Sequence, residues 1–438
     1  MIAAESATDF LSRYLLPDVL PFVYDLEQSI GNRLYDAAGK RFLLDCFTFI
    51  ASNPIGHNHP KMFDPAFERK LLQAARVKPS NSDVYTVSLA EFVRTFVSVA
   101  VPKELQRLFF VEGGTLAVEN ALKTAFDWKV RLNHQKGMSG EVGTQVIHFK
   151  QAFHGRSGYS LSLTNTLDPR KTKFFPKFNW PRVTNPKITF PLNRENEELV
   201  SKLEQQSLTE IKQALKQHGP DIAAIILEPI QGEGGDNHFR PEFHRALRQV
   251  ASESDVMLIY DEVQTGVGLT GKMWAYEHYG MTPDVLAFGK KMQVCGILVG
   301  DAIERVESHV FREKSRINST WGGNLVDMVR ATRYLEIIRD EKLVENAATV
   351  GKQLLESLTR LTDAHPSLLS NARGKGLMCA FDVSTVEKRD TLVKEILALG
   401  AIVLPCGERS IRLRPSLTFS ADEVRELLGI LEQATTKI

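Results

Sequence analysis

Val256-Met257-Leu258-Ile259-Tyr260 runs directly into Asp261-Glu262-Val263-Gln264-Thr265-Gly266, and Asp284-Val285-Leu286-Ala287-Phe288-Gly289 runs into Lys290-Lys291. Wholly apolar runs of this length, ended by polar residues, read as strands buried on both faces, as in a parallel sheet. An aspartate and a lysine therefore stand at the carboxyl ends of two buried strands, the edge where open α/β sheets hold their ligands. Working outward, residues 108–111, 146–149 and 222–227 are further strand candidates, and helix-period segments cover 115–130, 199–217, 242–252 and 325–338. Alternation of this kind predicts an α/β domain with a mostly parallel sheet. Residues 24–29 and 41–46 alternate around the polar turn Asp36-Ala37-Ala38-Gly39-Lys40 and read as strands. The last third mixes helices (343–361, 389–399, 421–433) with short strands (401–404, 411–414), the pattern of a smaller α+β domain.

Bulk properties narrow the function classes. The chain has 438 residues, 43% hydrophobic and 24% charged, ordinary for a globular protein of two or three domains. Lys plus Arg is 54 and Asp plus Glu 53, and a net charge of +1 offers no electrostatic case for nucleic acid or an anionic membrane. Cys46, Cys295, Cys379 and Cys406 are scattered, with no CxxC and no clustered histidines, so neither a disulfide framework nor a metal site is expected. Met1-Ile2-Ala3-Ala4-Glu5-Ser6 has no basic start and no continuous apolar stretch, which reads as no secretory signal, and no run of about 18 apolar residues exists. A cytoplasmic protein is the expectation.

A buried carboxylate and a buried amine on one sheet edge are what a pyridoxal phosphate enzyme needs: the amine holds the cofactor aldehyde as a Schiff base, and the carboxylate keeps the pyridine nitrogen protonated. Lys291 adjoins Lys290; Lys290 is preferred because it directly follows Phe288-Gly289. Glu112-Gly113-Gly114-Thr115 opens the first long helix, where free N–H groups and the helix dipole suit a phosphate, although such a turn can equally serve packing. It matches neither GxGxxG nor GxxxxGKS, which counts against dinucleotide and nucleoside triphosphate binding. Gln151-Ala152-Phe153-His154-Gly155-Arg156 offers an aromatic to stack on a flat ring and an arginine for a carboxylate; the alternative is a core phenylalanine, a capping histidine and a surface arginine. Glu228-Pro229-Ile230-Gln231-Gly232-Glu233 fits an active-site loop or a tight turn. Asn318-Ser319-Thr320-Trp321-Gly322-Gly323-Asn324 is a polar turn before a helix, and Ile411-Arg412-Leu413-Arg414 puts two arginines near a strand end, which judged alone reads as a surface-facing edge.

Together these segments resemble the class III (ornithine/4-aminobutyrate type) pyridoxal-phosphate-dependent aminotransferases of fold type I, from about residue 24 to 431. The resemblance implies a large domain with a mostly parallel, seven-stranded sheet (56–325) and a smaller α+β domain made of 326–438 with the N-terminal segment 1–55. It implies that Lys290 is the Schiff-base lysine and proton shuttle, that Asp261 partners the pyridine nitrogen and that Gln264 contacts the ring hydroxyl. Phe153 would stack on the ring, and Gly114 and Thr115 would bind phosphate. Thr320 would reach the cofactor of a neighbouring subunit, so a homodimer with shared sites is expected. Gly113 departs from the family, where serine is common, and so does Leu269, where arginine is common. Phe153–Thr166, Phe178-Asn179-Trp180-Pro181-Arg182, Gln293-Val294-Cys295-Gly296 and Asn318–Leu325 are similar to members that move the ε-amino group of L-lysine to 2-oxoglutarate. By that likeness Arg156 holds the distant carboxylate of either substrate, Arg412 holds the near carboxylate of 2-oxoglutarate, Glu233 neutralises Arg412 when lysine is bound, and Asn318 orients the donor. Transamination of 4-aminobutyrate or ornithine is the alternative.

Overall fold

The computed structural model describes residues 2–16 and 19–438. Met1, where the reading of the N-terminus begins, and Pro17 and Asp18 within the 1–55 segment lie outside the described residues. Strands β1 (Arg33–Asp36) and β2 (Arg41–Asp45) form an antiparallel hairpin. The expected strand at 24–29 is not there. Asp25 instead accepts bonds from the amides of Glu27 (2.9 Å) and Gln28 (2.8 Å), and this side-chain turn takes the backbone groups a strand would have paired.

The large sheet is built from β3 (Arg107–Val111), β4 (Gln145–Phe149), β5 (Arg182–Val183), β6 (Ile222–Leu227), β7 (Met257–Asp261), β8 (Val285–Phe288) and β9 (Cys295–Val299), in the order β3-β9-β8-β7-β6-β4-β5. β4 to β8 pair in parallel, and β9 runs antiparallel to both β3 and β8. Every residue of β6, β7 and β8 is buried, as the unbroken apolar runs require of strands covered on both faces. One covering element is the helix Gly114–Gln135, which buries Val118, Ala121, Leu122, Ala125, Trp128 and Leu132 along one stripe.

A second sheet, β10 (Leu369–Lys375), β11 (Met378–Val383), β14 (Ser410–Leu413) and β13 (Leu404–Cys406), is antiparallel throughout. The single strand expected at 401–404 is broken: β12 (Ala401–Ile402) pairs in parallel with β2, and the chain then crosses into β13. Residues from both ends of the chain thus meet in the three-stranded sheet β1-β2-β12. No helix among the described residues is long and apolar enough to cross a membrane.

Candidate active site

The turns that leave the parallel strands of the large sheet gather at one edge. Gly114 and Thr115 follow β3, Phe153 and His154 follow β4, Glu228 follows β6, Asp261 ends β7 and Lys290 follows β8. In the β7–β8 pairing Asp261 lies opposite Ala287, so Lys290 projects just beyond the carboxylate on the same edge. Together they line a cavity of about 530 Å³ that also takes in Arg156, Gln264, Ser52, Gln293 and Cys295. Cys295 reaches it because β9 runs backwards and begins at this edge, a direction no periodicity in the sequence discloses.

The two adjacent lysines have separate fates. Lys291 is buried, and its Nζ donates to the carbonyls of Gln264 (2.8 Å) and Ala51 (3.2 Å). Lys290 lines the cavity in a left-handed backbone conformation (φ +49°), uncommon for a residue with a side chain and a form of strain that concentrates at functional sites. Burial lowers the Lys290 amine to about 8, Arg412 and Arg414 add to the effect, and Asp261 and Glu228 oppose it. Lys290 in the cofactor-free protein is therefore expected to react with an amine reagent at a rate that rises with pH through a midpoint near 8. At pH 7 about a tenth of it is already uncharged, against a negligible fraction for a free lysine. Peptide mapping of the adduct across pH measures this; a midpoint above pH 10 contradicts the low value.

Asp261 is buried. Its Oδ2 meets His154 Nδ1 at 2.8 Å, and its Oδ1 accepts the amide of Val263 at 3.1 Å. It forms no ion pair with a described lysine or arginine. The partnership with His154, which also lines the cavity and which the sequence offered as a capping histidine, fixes the orientation of the carboxylate. Glu228 closes the wall: its carboxylate accepts the amides of Phe153 (2.9 Å) and Gly232 (3.1 Å), tying the loops after β4 and β6 together. Burial pushes Glu228 up to about 7, with His154 opposing and Asp261 adding.

At the helix start, a Cβ on Gly114 would sit 2.9 Å from Val263 Cγ1, and one on Gly155 would sit 2.1 Å from Thr115 Oγ1. The two loops therefore pack backbone against side chain on either side of the first helical turn. Thr115 Oγ1 is held by Ser160 Oγ (2.6 Å) and Ser157 Oγ (3.0 Å). Gly113 has φ +103°, which strains any residue with a Cβ, so the departure from serine matches the backbone. Gln264 Oε1 accepts from Nε and Nη2 of Arg414, both at 3.0 Å, which leaves the Gln264 amide as donor for a second partner.

Arg412 and Arg414 are 4% and 0% exposed, not on a surface-facing edge. Arg414 pairs with buried Asp236. Arg412 Nη2 donates to Glu233 Oε2 at 2.7 Å, while its Nε and Nη1 are buried without a hydrogen-bond partner among the described residues. Glu233 Oε1 also takes a bond from Lys171, which sequence reasoning did not single out. Neither Glu233 nor Arg412 lines the cavity, yet Arg412 lies near enough to depress the Lys290 amine. Arg156 is exposed at the cavity and makes no ion pair with a described carboxylate. Asn318 and Thr320 stand apart: Asn318 lines a separate cavity with Asn81 and Tyr85, and the Thr320 carbonyl accepts Ser80 Oγ at 2.5 Å.

Residues 14–435 match the model of the family described as aminotransferase class-III. The chain belongs to the class III aminotransferases. It is 49% identical over 427 residues to an L-lysine-epsilon aminotransferase of Mycobacterium tuberculosis, covering 97% of this chain and 94% of that relative. A solved structure, lysine aminotransferase from M. tuberculosis in the internal aldimine form, superposes with a TM-score of 0.97 at 48% identity over 100% of both chains. A 4-aminobutyrate aminotransferase of Kluyveromyces lactis is 34% identical over 433 residues, covering 94% of this chain and 90% of that one. Like other class III aminotransferases the enzyme depends on pyridoxal 5'-phosphate, and the cavity suits it. A buried carboxylate with no lysine or arginine partner among the described residues, a low-pKa amine and a helix N-terminus share one space.

Proposed function

We propose that the enzyme transfers the ε-amino group of L-lysine to 2-oxoglutarate, giving 2-aminoadipate 6-semialdehyde and L-glutamate. The observation that carries this reading is the Glu233–Arg412 ion pair, whose arginine acts on the Lys290 amine, with Arg156 at the cavity and in no ion pair with a described carboxylate. A donor that reacts through a distal amine has no carboxylate beside the reacting carbon. A bare, buried Arg412 would then be costly, and Glu233 removes the cost. Arg156 is free to take the carboxylate at the donor's far end. 2-Oxoglutarate does carry a carboxylate beside its keto carbon, and the unpartnered Nε and Nη1 of Arg412 are donors for it. The name of the 49% identical relative supports lysine, and the relative named for 4-aminobutyrate stands further off at 34%.

In this reading Lys290 Nζ takes the proton from the substrate carbon that bears the amine, a task suited to an amine tuned near neutrality. Bound pyridoxal phosphate supplies an electron-withdrawing ring that makes this proton removable. Asp261, steadied by His154, would partner the ring nitrogen, Phe153 would stack on the ring, the Gln264 amide would bond the ring hydroxyl, and Gly114 and Thr115 would bind the phosphate. Asn318 and Thr320 lie outside this chain's cavity, which suits contributions to a neighbouring subunit's site in a homodimer. The exposed apolar Tyr85, Val87 and Trp321 beside them suit burial in such an interface. Four unpaired cysteines suit a cytoplasmic enzyme.

Replacing Glu233 with alanine tests the donor assignment. The ratio of kcat/KM for L-lysine to that for L-glutamate as donor is expected to fall by about thirtyfold or more, since stripping one partner from a buried, hydrogen-bonded charge pair costs about 2 kcal/mol or more. A donor panel run with 2-oxoglutarate as acceptor, following cyclisation of the semialdehyde, measures it. An unchanged ratio, or a wild-type preference for 4-aminobutyrate or ornithine, refutes lysine specificity.

A further inference from the structure

Glu233 is shared. Its Oε2 binds Arg412 Nη2 at 2.7 Å, and its Oε1 binds Lys171 Nζ, from a segment remote from both. Lys171 is only 16% exposed at its side chain, and its ammonium lies 5.9 Å from the ring centroid of Phe153, a wall residue of the cavity. The local cluster is two cations to one carboxylate, and burial would raise Glu233 were it not for Arg412 and Lys171, which together hold it below its usual range.

We propose that Lys171 is a positioning residue that retains Glu233 when Arg412 gives it up to the near carboxylate of 2-oxoglutarate. The proposal rests on the assignment of Arg412 to that carboxylate. Charge count decides the pairing. A donor with a distal amine leaves the cluster as it stands, and one carboxylate bridges two cations. An incoming carboxylate makes two of each sign, and the favourable arrangement is two separate pairs: Arg412 with the substrate, Lys171 with Glu233. Without Lys171, Glu233 would be released next to a second carboxylate with no cation of its own, and like-charge repulsion would favour the closed Glu233–Arg412 pair. Lys171 thus lowers the cost of opening that pair, and the same enzyme accommodates both substrate shapes.

Lys171→Met in the holoenzyme is expected to raise the ratio of KM for 2-oxoglutarate to KM for the amino donor about tenfold, with Lys171→Arg restoring most of it. Binding of glutarate, an unreactive dicarboxylate of the same length, is expected to weaken to a similar degree by calorimetry. In a Glu233→Gln background the Lys171→Met effect should vanish, because no carboxylate is left to hold. A parallel rise of both KM values, or normal glutarate binding, overturns the proposal. Persistence of the effect in Glu233→Gln also overturns it, since Lys171 would then attract the dicarboxylate directly. If the wild-type enzyme prefers another distal amine, the lysine assignment fails, while the Lys171 comparison is made unchanged with that donor.

Discussion

Lys290→Ala is expected to lower kcat by at least about 10⁴-fold, the upper range for losing a positioned acid–base group, here combined with loss of the covalent attachment point. The borohydride-stabilised cofactor adduct should disappear from the peptide holding residue 290 without moving to residue 291. The reason lies in the two amines' surroundings. Lys291 is committed to the carbonyls of Gln264 and Ala51, which join the loop after β7 to the N-terminal part of the chain. Turning that amine into the cavity would leave two buried carbonyls without a donor, at about 1–3 kcal/mol each. Lys290 has no such duty and already lines the cavity. Lys291→Met should therefore show lowered thermal stability while keeping the adduct at position 290. An adduct on Lys291, or substantial turnover by Lys290→Ala, sinks the assignment.

Asp261→Asn should cost about 10³-fold in kcat, near the upper end of what one preorganised electrostatic partner contributes. Two effects combine. The negative charge that would face a protonated ring nitrogen is lost. The amide serves both present partners only if its oxygen keeps the Val263 N–H and its NH2 turns to His154, whose Nδ1 must then accept, moving the ring proton to Nε2, which is buried without a partner among the described residues. The charge-assisted contact between carboxylate and imidazole is then replaced by a weaker neutral one, and the group is held less firmly. The measurement is single-turnover kinetics with each substrate, alongside the affinity for the cofactor. Activity within tenfold of wild type would mean that Asp261 is structural.

Much of this was legible beforehand because it is local. The buried runs of β6, β7 and β8 declare themselves by unbroken apolar composition, and the charged residue ending or following each is fixed in chain position. The helix that begins at Gly114 announces itself by its glycines and its apolar stripe. Where a side chain could satisfy the backbone, reading failed: Asp25 turns 24–29 out of the sheet. The helix Pro65–Arg76, capped by Asp64, was passed over because its apolar face is slight and buries only Phe67. β9 was missed for a different reason. Its reversed direction follows from where β3 and β8 leave a gap, and a short run carries no mark of direction.

What the sequence determined by itself is the set of buried strands and the chemistry at their ends, since apolar spacing and residue order are properties of neighbours along the chain. What only the tertiary structure decided is which groups share charge. Lys171, Glu233 and Arg412 are separated by 62 and 179 positions, and Arg412 became a buried cation only when β14 was covered on both sides. Burial and pairing depend on everything packed around a group, so the depressed Lys290 amine, the oriented Asp261 and the doubly held Glu233 exist only in the folded chain.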